Sequence, residues 1–261
     1  VTAGLPSPLA ADVACAGSET DRHHARKELV EVFYFDPMYL VFMAPALLLM
    51  LFAQWRVHST FGKYSSVPNR QGLSGAQTAR LILDANGLSD VPVELTPGEL
   101  TDHYDPGRRA LRLSRPVFYG QSVAALGIAA HEAGHAIQHK VGYLPLQLRS
   151  ALVPAATIGS NIGWIMILAG IVIGLTDLAW LGIAFFSAGT LFALVTLPVE
   201  FNASSRAMQM LTTLGLVDRT EHQQNREVLN AAALTYIAGF LAAFLQLLYW
   251  VSLVAGLQRR D

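Results

Sequence analysis

His131-Glu132-Ala133-Gly134-His135 places two imidazoles four residues apart, with a carboxylate directly after the first. On a helix the i and i+4 positions share a face, so both rings can approach a single ion. The surrounding residues predict such a helix: 122–139 contains no proline, is rich in alanine, and has glycine only at Gly127 and Gly134. Residues 123–130 are all small or apolar, which predicts that the helix is buried. The alternative is a surface helix with two solvated histidines. Burial argues against it, because interior imidazoles beside an interior carboxylate require partners.

This spacing is that of zinc hydrolases, in which the two histidines hold the metal and the glutamate acts on a water molecule activated by it. Catalytic zinc usually takes three protein ligands and keeps one position open. His139 is not expected to be the third. It lies eight residues beyond His131, a rise of about 12 Å at roughly 1.5 Å per residue, too far for both to grip one ion with His135 between them. A structural or supporting role fits His139 better. Glu200, the lone acid at the end of a long apolar segment, is the better candidate, within the stretch 197–207.

Four stretches together carry a family resemblance: Phe35-Asp36-Pro37, Leu100-Thr101-Asp102-His103-Tyr104-Asp105-Pro106, the His131 to His139 motif, and 197–207. From about Tyr34 to the C-terminus the chain resembles the YugP-like neutral zinc metallopeptidases of bacterial membranes. That resemblance implies one zinc ion per chain, held by His131, His135 and Glu200, with Glu132 as the catalytic residue. The chain is also distantly similar to HtpX-type membrane proteases, whose glutamate ligand is followed four positions later by an aspartate. Here that position is Ser204, so Asn202 and Ser204 become the candidate partners of the histidines.

Composition points to a membrane independently of any family. Apolar residues make up 52% of the chain and charged residues 14%, against about 25% charged in soluble domains, and mean hydropathy is positive. Uncharged runs at 38–55, 151–175, 178–199 and 228–257 approach or exceed the roughly 20 residues that a span requires. The expected fold is therefore a mainly α membrane protein: about four transmembrane helices and a cytoplasmic, zincin-like α+β catalytic part. The first run is short enough to be a buried core helix instead.

The expected divisions are an N-terminal extension at 1–31, a first span at 32–55, a soluble part at 56–149, a transmembrane hairpin at 150–199, a third-ligand segment at 200–227 and a last span with a short tail at 228–261. An even number of crossings separates His131 from Glu200, so both can meet on one side of the bilayer. Basic residues concentrate in the two loops that carry the site, from Arg56 to Arg149 and at Arg206, Arg219 and Arg226, which predicts a cytoplasmic site in a multi-pass bacterial inner-membrane protein. Arg259-Arg260 and Arg22, Arg26 and Lys27 oppose that orientation. Residues 1–31 show no periodicity and no secretory pattern, and the resemblance begins only near Tyr34. Val32 is compatible with a GTG start, so the extension is expected to be disordered or foreign to the native protein. The single cysteine, Cys15, excludes an intramolecular disulfide.

Within the soluble part, Ser74-Gly75-Ala76-Gln77 is a capping-box pattern opening a helix that should stop at Asn86-Gly87. Strand-like pieces follow at 91–95, 99–104 and 110–113, the last two joined by the turn signal Asp105-Pro106-Gly107. Such a hairpin either offers an edge strand to an extended substrate or simply covers the zinc helix. A second donor for a tetrahedral oxyanion could come from His103, Tyr104, Arg206 or His222. A structural Asp102-His103 pair closing the hairpin is an equal alternative, as is a membrane-edge role for Arg206.

Together these readings predict a zinc peptidase acting on protein or peptide substrates from within the lipid bilayer. A zinc-binding scaffold or transporter component without hydrolytic activity is the alternative. An intramembrane protease would take a ligand from an aspartate in a later span, and none lies there; Asp177 sits in the short connection between two spans. Small residues at Gly159, Gly163, Gly170 and Gly174 permit close helix contact, with the return helix or with a second subunit in a homo-oligomer. A net charge of −1 gives no reason to expect nucleic acid as a partner.

Overall fold

Among the described residues four helices are long and apolar enough to cross a bilayer, and each covers all or nearly all of one of the uncharged runs read from the sequence. They are α1 (Pro37–Ser65), α5 (Leu144–Ile173), α6 (Thr176–Thr213) and α7 (Arg219–Gln258). Between α1 and α5 lie α2 (Gly75–Ala85), β1 (Val93–Thr96), β2 (His103–Asp105), β3 (Ala110–Ser114), the short α3 (Arg115–Phe118) and α4 (Val123–Lys140). This is a computed structural model, and it describes residues 37–258. The expectations for 1–31, Phe35-Asp36 and Arg259-Arg260 lie outside the described residues.

Helix α2 starts as its sequence predicts. The Ser74 side chain accepts from the Gln77 N–H while the Gln77 side chain accepts from the Ser74 N–H, and Asn86 caps the other end. Helix α4 is opened by Ser122, whose hydroxyl accepts from the Ala125 N–H at 3.1 Å. The three strands form a sheet in the order β1-β3-β2. Strand β2 runs antiparallel to β3, pairing Tyr104 with Leu111, which is the expected hairpin; β1 runs parallel to β3. The buried side chains of Ile82, Leu83, Leu111, Leu113 and Leu126 pack the sheet and α2 around α4, and Ala207 and Leu211 of α6 close the same core.

Helices α5 and α6 form an antiparallel hairpin at backbone contact. A Cβ added at Gly159 would lie 2.7 Å from the Phe185 carbonyl oxygen, one at Gly163 2.6 Å from that of Gly182, and one at Gly170 2.5 Å from the Ala179 nitrogen. Gly174 ends α5 in the left-handed region, at φ 73°. In hydrocarbon, dispersion between closely approaching backbones replaces the hydrophobic drive that holds soluble helices together. Of the four glycines expected to serve either the return helix or a second subunit, Gly159, Gly163 and Gly170 face the return helix of the same chain, whereas an added Cβ at Gly174 meets nothing within 4 Å.

The same device brings the hairpin to the zinc-motif helix. Gly134, inside the motif, faces α6, where an added Cβ would lie 2.6 Å from the Ala203 carbonyl oxygen. Because the obstacle is backbone, no side-chain rotation relieves it. Gly134→Ala is expected to lower stability by about 1–3 kcal/mol through overpacking, read as a drop in apparent melting temperature in detergent. Gly239→Ala, where an added Cβ meets nothing within 4 Å, should be neutral or stabilising by up to about 1 kcal/mol.

Candidate active site

The close α4–α6 approach places Glu200 against the two histidines. Glu200 Oε2 lies 3.2 Å from His131 Nε2 and 3.4 Å from His135 Nε2, and the carboxylate is almost wholly buried. One ligand atom from each of the three residues falls within 4.8 Å of the others.

The protonation of His135 follows from its neighbours. Gln138 Nε2 donates to the Val199 carbonyl at 2.8 Å and to Asn202 Oδ1 at 3.0 Å. A main-chain carbonyl can only accept, so the amide orientation is fixed. Gln138 Oε1 therefore faces His135 Nδ1, at 3.0 Å, and that nitrogen must carry the hydrogen. Neutral His135 then directs a bare Nε2 lone pair at a carboxylate oxygen. His131 Nδ1 lies 3.2 Å from Ser204 Oγ, a hydroxyl that is able to accept its hydrogen or to donate to it. With Nδ1 protonated on both rings, two imidazole lone pairs and an anion would converge on one point, an arrangement that a cation between them satisfies. In keeping with this, burial works against the His135 cation, yet the Glu200 hydrogen bond and the Glu132 and Glu200 charges outweigh it and raise its pKa above the ordinary value.

The donor set fits zinc. Imidazole nitrogen and carboxylate oxygen are among its usual ligands, and tetrahedral bonds of about 2.0–2.1 Å put ligand atoms about 3.4 Å apart, matching the 3.2 and 3.4 Å separations here. The second oxygen of Glu200 is held by Arg149, whose Nη1 lies 3.4 Å from Oε1. Glu132 is buried, and its Oε2 accepts from the Tyr104 main-chain N–H at 3.0 Å, tying strand β2 to the motif helix.

The remaining sequence candidates divide. Ser204 touches His131 directly, and Asn202 reaches His135 through Gln138. His139 is exposed and meets the Tyr104 hydroxyl at 2.9 Å, outside the cluster. Arg206 donates to Asn202 Oδ1 at 2.8 Å. His103 is exposed with Nδ1 on the Thr101 carbonyl, and His222 lines a different cavity with Arg219 and Arg226. Asp102 does close the hairpin, though with Ser114 rather than His103: Oδ1 accepts from the Ser114 N–H at 2.7 Å and from its hydroxyl at 3.0 Å. Burial raises the Asp102 pKa, partly offset by those bonds.

Three residues at the site were not singled out from sequence. Gln138 carried a signal, standing three positions after His135 on the same helix face. Arg149 and Tyr236 carried none, since only tertiary packing brings them in. Tyr236, on α7, lines a cavity with His131 and Glu132, and its hydroxyl interacts with the Glu200 and Glu132 carboxylates.

The fold and the site together define a class: a membrane protein of four apolar helices that carries a buried His-His-Glu metal cluster. Residues 39–255 match the family described as "Putative neutral zinc metallopeptidase". The chain belongs to that family. It is 48% identical over 215 residues to "Putative membrane protease YugP" of Bacillus subtilis (strain 168), covering 82% of this chain and 96% of that protein. No solved structure matches the chain.

Removing one ligand should leave two imidazoles unable to hold the ion firmly. Detergent-purified wild type is expected to carry about one zinc per chain, and Glu200→Ala much less, read by elemental analysis. Zinc binding must displace any proton on the imidazoles. With the His135 pKa raised, affinity should level off only above the ordinary histidine range near pH 6.5 and fall about tenfold per pH unit per displaced proton below it, read by competition with a chelator.

Proposed function

We propose that this protein is a membrane-embedded zinc endopeptidase that hydrolyses peptide bonds of protein or peptide substrates, with Glu132 as general base. The observation that carries the reading is that Glu132 and His131 line one cavity, beside a cluster that gathers His131, His135 and Glu200. Bound zinc supplies Lewis acidity, which lowers the pKa of the attacking water and polarises the scissile carbonyl.

The chain's own groups do the rest. His131, His135 and Glu200 hold the ion, while Ser204 and Gln138 fix the imidazole orientation by taking the Nδ1 hydrogens. Arg149 occupies the far oxygen of Glu200, leaving the near one for the metal. Glu132 takes a proton from the water and delivers it to the departing amine. Its carboxylate is oriented by the Tyr104 N–H. Tyr236 is the phenol that faces the same cavity and donates to the developing oxyanion.

Strand β2 ends the sheet order β1-β3-β2 and gives its outward Tyr104 N–H to Glu132, so an extended substrate beside it would use the Tyr104 carbonyl and the main chain flanking β2, contacts that tolerate varied sequence. Basic residues concentrated in the loops at 56–149 and 200–227 favour a cytoplasmic active site in the inner membrane.

The test is cleavage of a peptide mixture by detergent-purified protein. Glu132→Gln should keep its zinc and lose cleavage by about 10²–10⁴-fold. Tyr236→Phe should also keep zinc and lower kcat by about 10²–10³-fold, with a smaller change in KM. Zinc bound by wild type without any Glu132-dependent cleavage would favour the scaffold reading instead.

A further inference from the structure

The cavity beside His131 and Glu132 has a volume of about 190 Å³. Sites for drug-sized ligands run about 300–1,000 Å³, so this one is on the scale of a single large side chain. Its walls are mostly apolar and come from three helices: Val57 and Phe61 of α1, Ile128 of α4, and Val228, Leu229 and Ala232 of α7. Leu100 and Asp102, just before β2, close another side. Val57 and Phe61 lie just past the apolar run of α1, and Val228 opens that of α7, so the cavity sits where both helices leave the bilayer. Polar groups are confined to His131, Glu132, Asp102, Thr235 and Tyr236.

We propose that this cavity is a specificity subsite that takes one bulky apolar side chain, of leucine or phenylalanine type, from the residue next to the scissile bond. The inference rests on the peptidase reading and adds its substrate class. A peptide lying along β2 projects alternate side chains to opposite faces, and a residue whose carbonyl lies at the zinc cluster has the cavity within reach of its own or its neighbour's side chain. An apolar side chain there removes water from Val57, Phe61, Ile128 and Val228, which a polar one cannot do without leaving its own groups unpaired. The occupant is a side chain rather than a lipid because the cavity is continuous with the reacting groups and flanked by the strand that would hold a peptide.

Ala232 is the smallest residue in the lining, so enlarging it removes space directly. The experiment identifies cut sites in a proteome-derived peptide mixture digested by wild type, Ala232→Phe, Val57→Phe and Val57→Ala, each first assayed for zinc content. Wild type should favour leucine or phenylalanine over alanine at one position flanking the cut by about tenfold or more, since one methylene in an apolar pocket is worth about 10–200-fold. Either phenylalanine variant should move that position alone towards alanine and serine. Val57→Ala, which removes bulk and threatens the fold least, should admit tryptophan.

An unchanged preference in the variants that keep zinc and still cleave would overturn the subsite, as would a wild type with no apolar preference on either side of the cut. If an acyl chain fills the cavity instead, the variants will change the lipid that copurifies and leave the cleavage preference in place, which also overturns the proposal. Failure of the peptidase reading is distinct: wild type would then cut no more than Glu132→Gln, and the subsite would fall with it.

Discussion

Two imidazole nitrogens and a carboxylate oxygen converge at 3.2 and 3.4 Å, and this close gathering of metal-ligating atoms is the constraint on which the site depends. A cation among them would satisfy all three at once, since zinc takes imidazole nitrogen and carboxylate oxygen together. The surroundings are built to preserve the gathering. Gln138 and Ser204 meet the outer nitrogens of the rings, Gly134 lets α6 approach to backbone contact, and Arg149 steadies the far side of Glu200. A proton on His135 is the poor substitute for a metal cation, which explains why its pKa is raised despite burial.

The membrane helices serve this geometry. Glu200 lies 65 positions after His135 in sequence, and the α5–α6 hairpin returns it to the histidines through glycines that allow the two helices to touch. Core packing in the soluble part does the complementary work: α4 is buried along its length because α2, the sheet and the end of α6 surround it. A shift in the α5–α6 register would carry Glu200 away from the rings by about 1.5 Å per residue, so contacts deep in the apolar region and the ligand set are mechanically linked.

Much of this was legible in the sequence because it is local or periodic. The HEAGH spacing puts His131 and His135 on one face, uncharged runs mark the four long helices, and the lone acid after an apolar run marks Glu200, which the structure brings to those histidines. The capping box at Ser74 and the β2–β3 hairpin were likewise set by short-range chemistry. Strand boundaries differ from the expected ones by up to four residues, and the parallel pairing of β1 with β3 had no local signal. Arg149 and Tyr236 were invisible for a related reason. Each sits in an apolar helix where arginine reads as a membrane-edge anchor and tyrosine as interfacial, and only the fold turns them towards Glu200. His103 and His222, oxyanion candidates in the sequence, lie elsewhere: His103 is exposed with Nδ1 on the Thr101 carbonyl, and His222 lines a different cavity.

Glu132 separates the catalytic reading from the scaffold reading on physical grounds. A structural zinc site is closed by its own ligands and has no use for an additional carboxylate. Glu132 is buried, shares a cavity with His131, and takes a main-chain hydrogen bond from strand β2. Burying an anion beside Glu200 and Asp102 is unfavourable, and replacing it by glutamine would relieve that repulsion while keeping the Tyr104 bond. A scaffold would gain stability from the change and forfeit nothing. Under the proposed mechanism a charged carboxylate is what proton transfer requires, and metal binding by His131, His135 and Glu200 does not call for it.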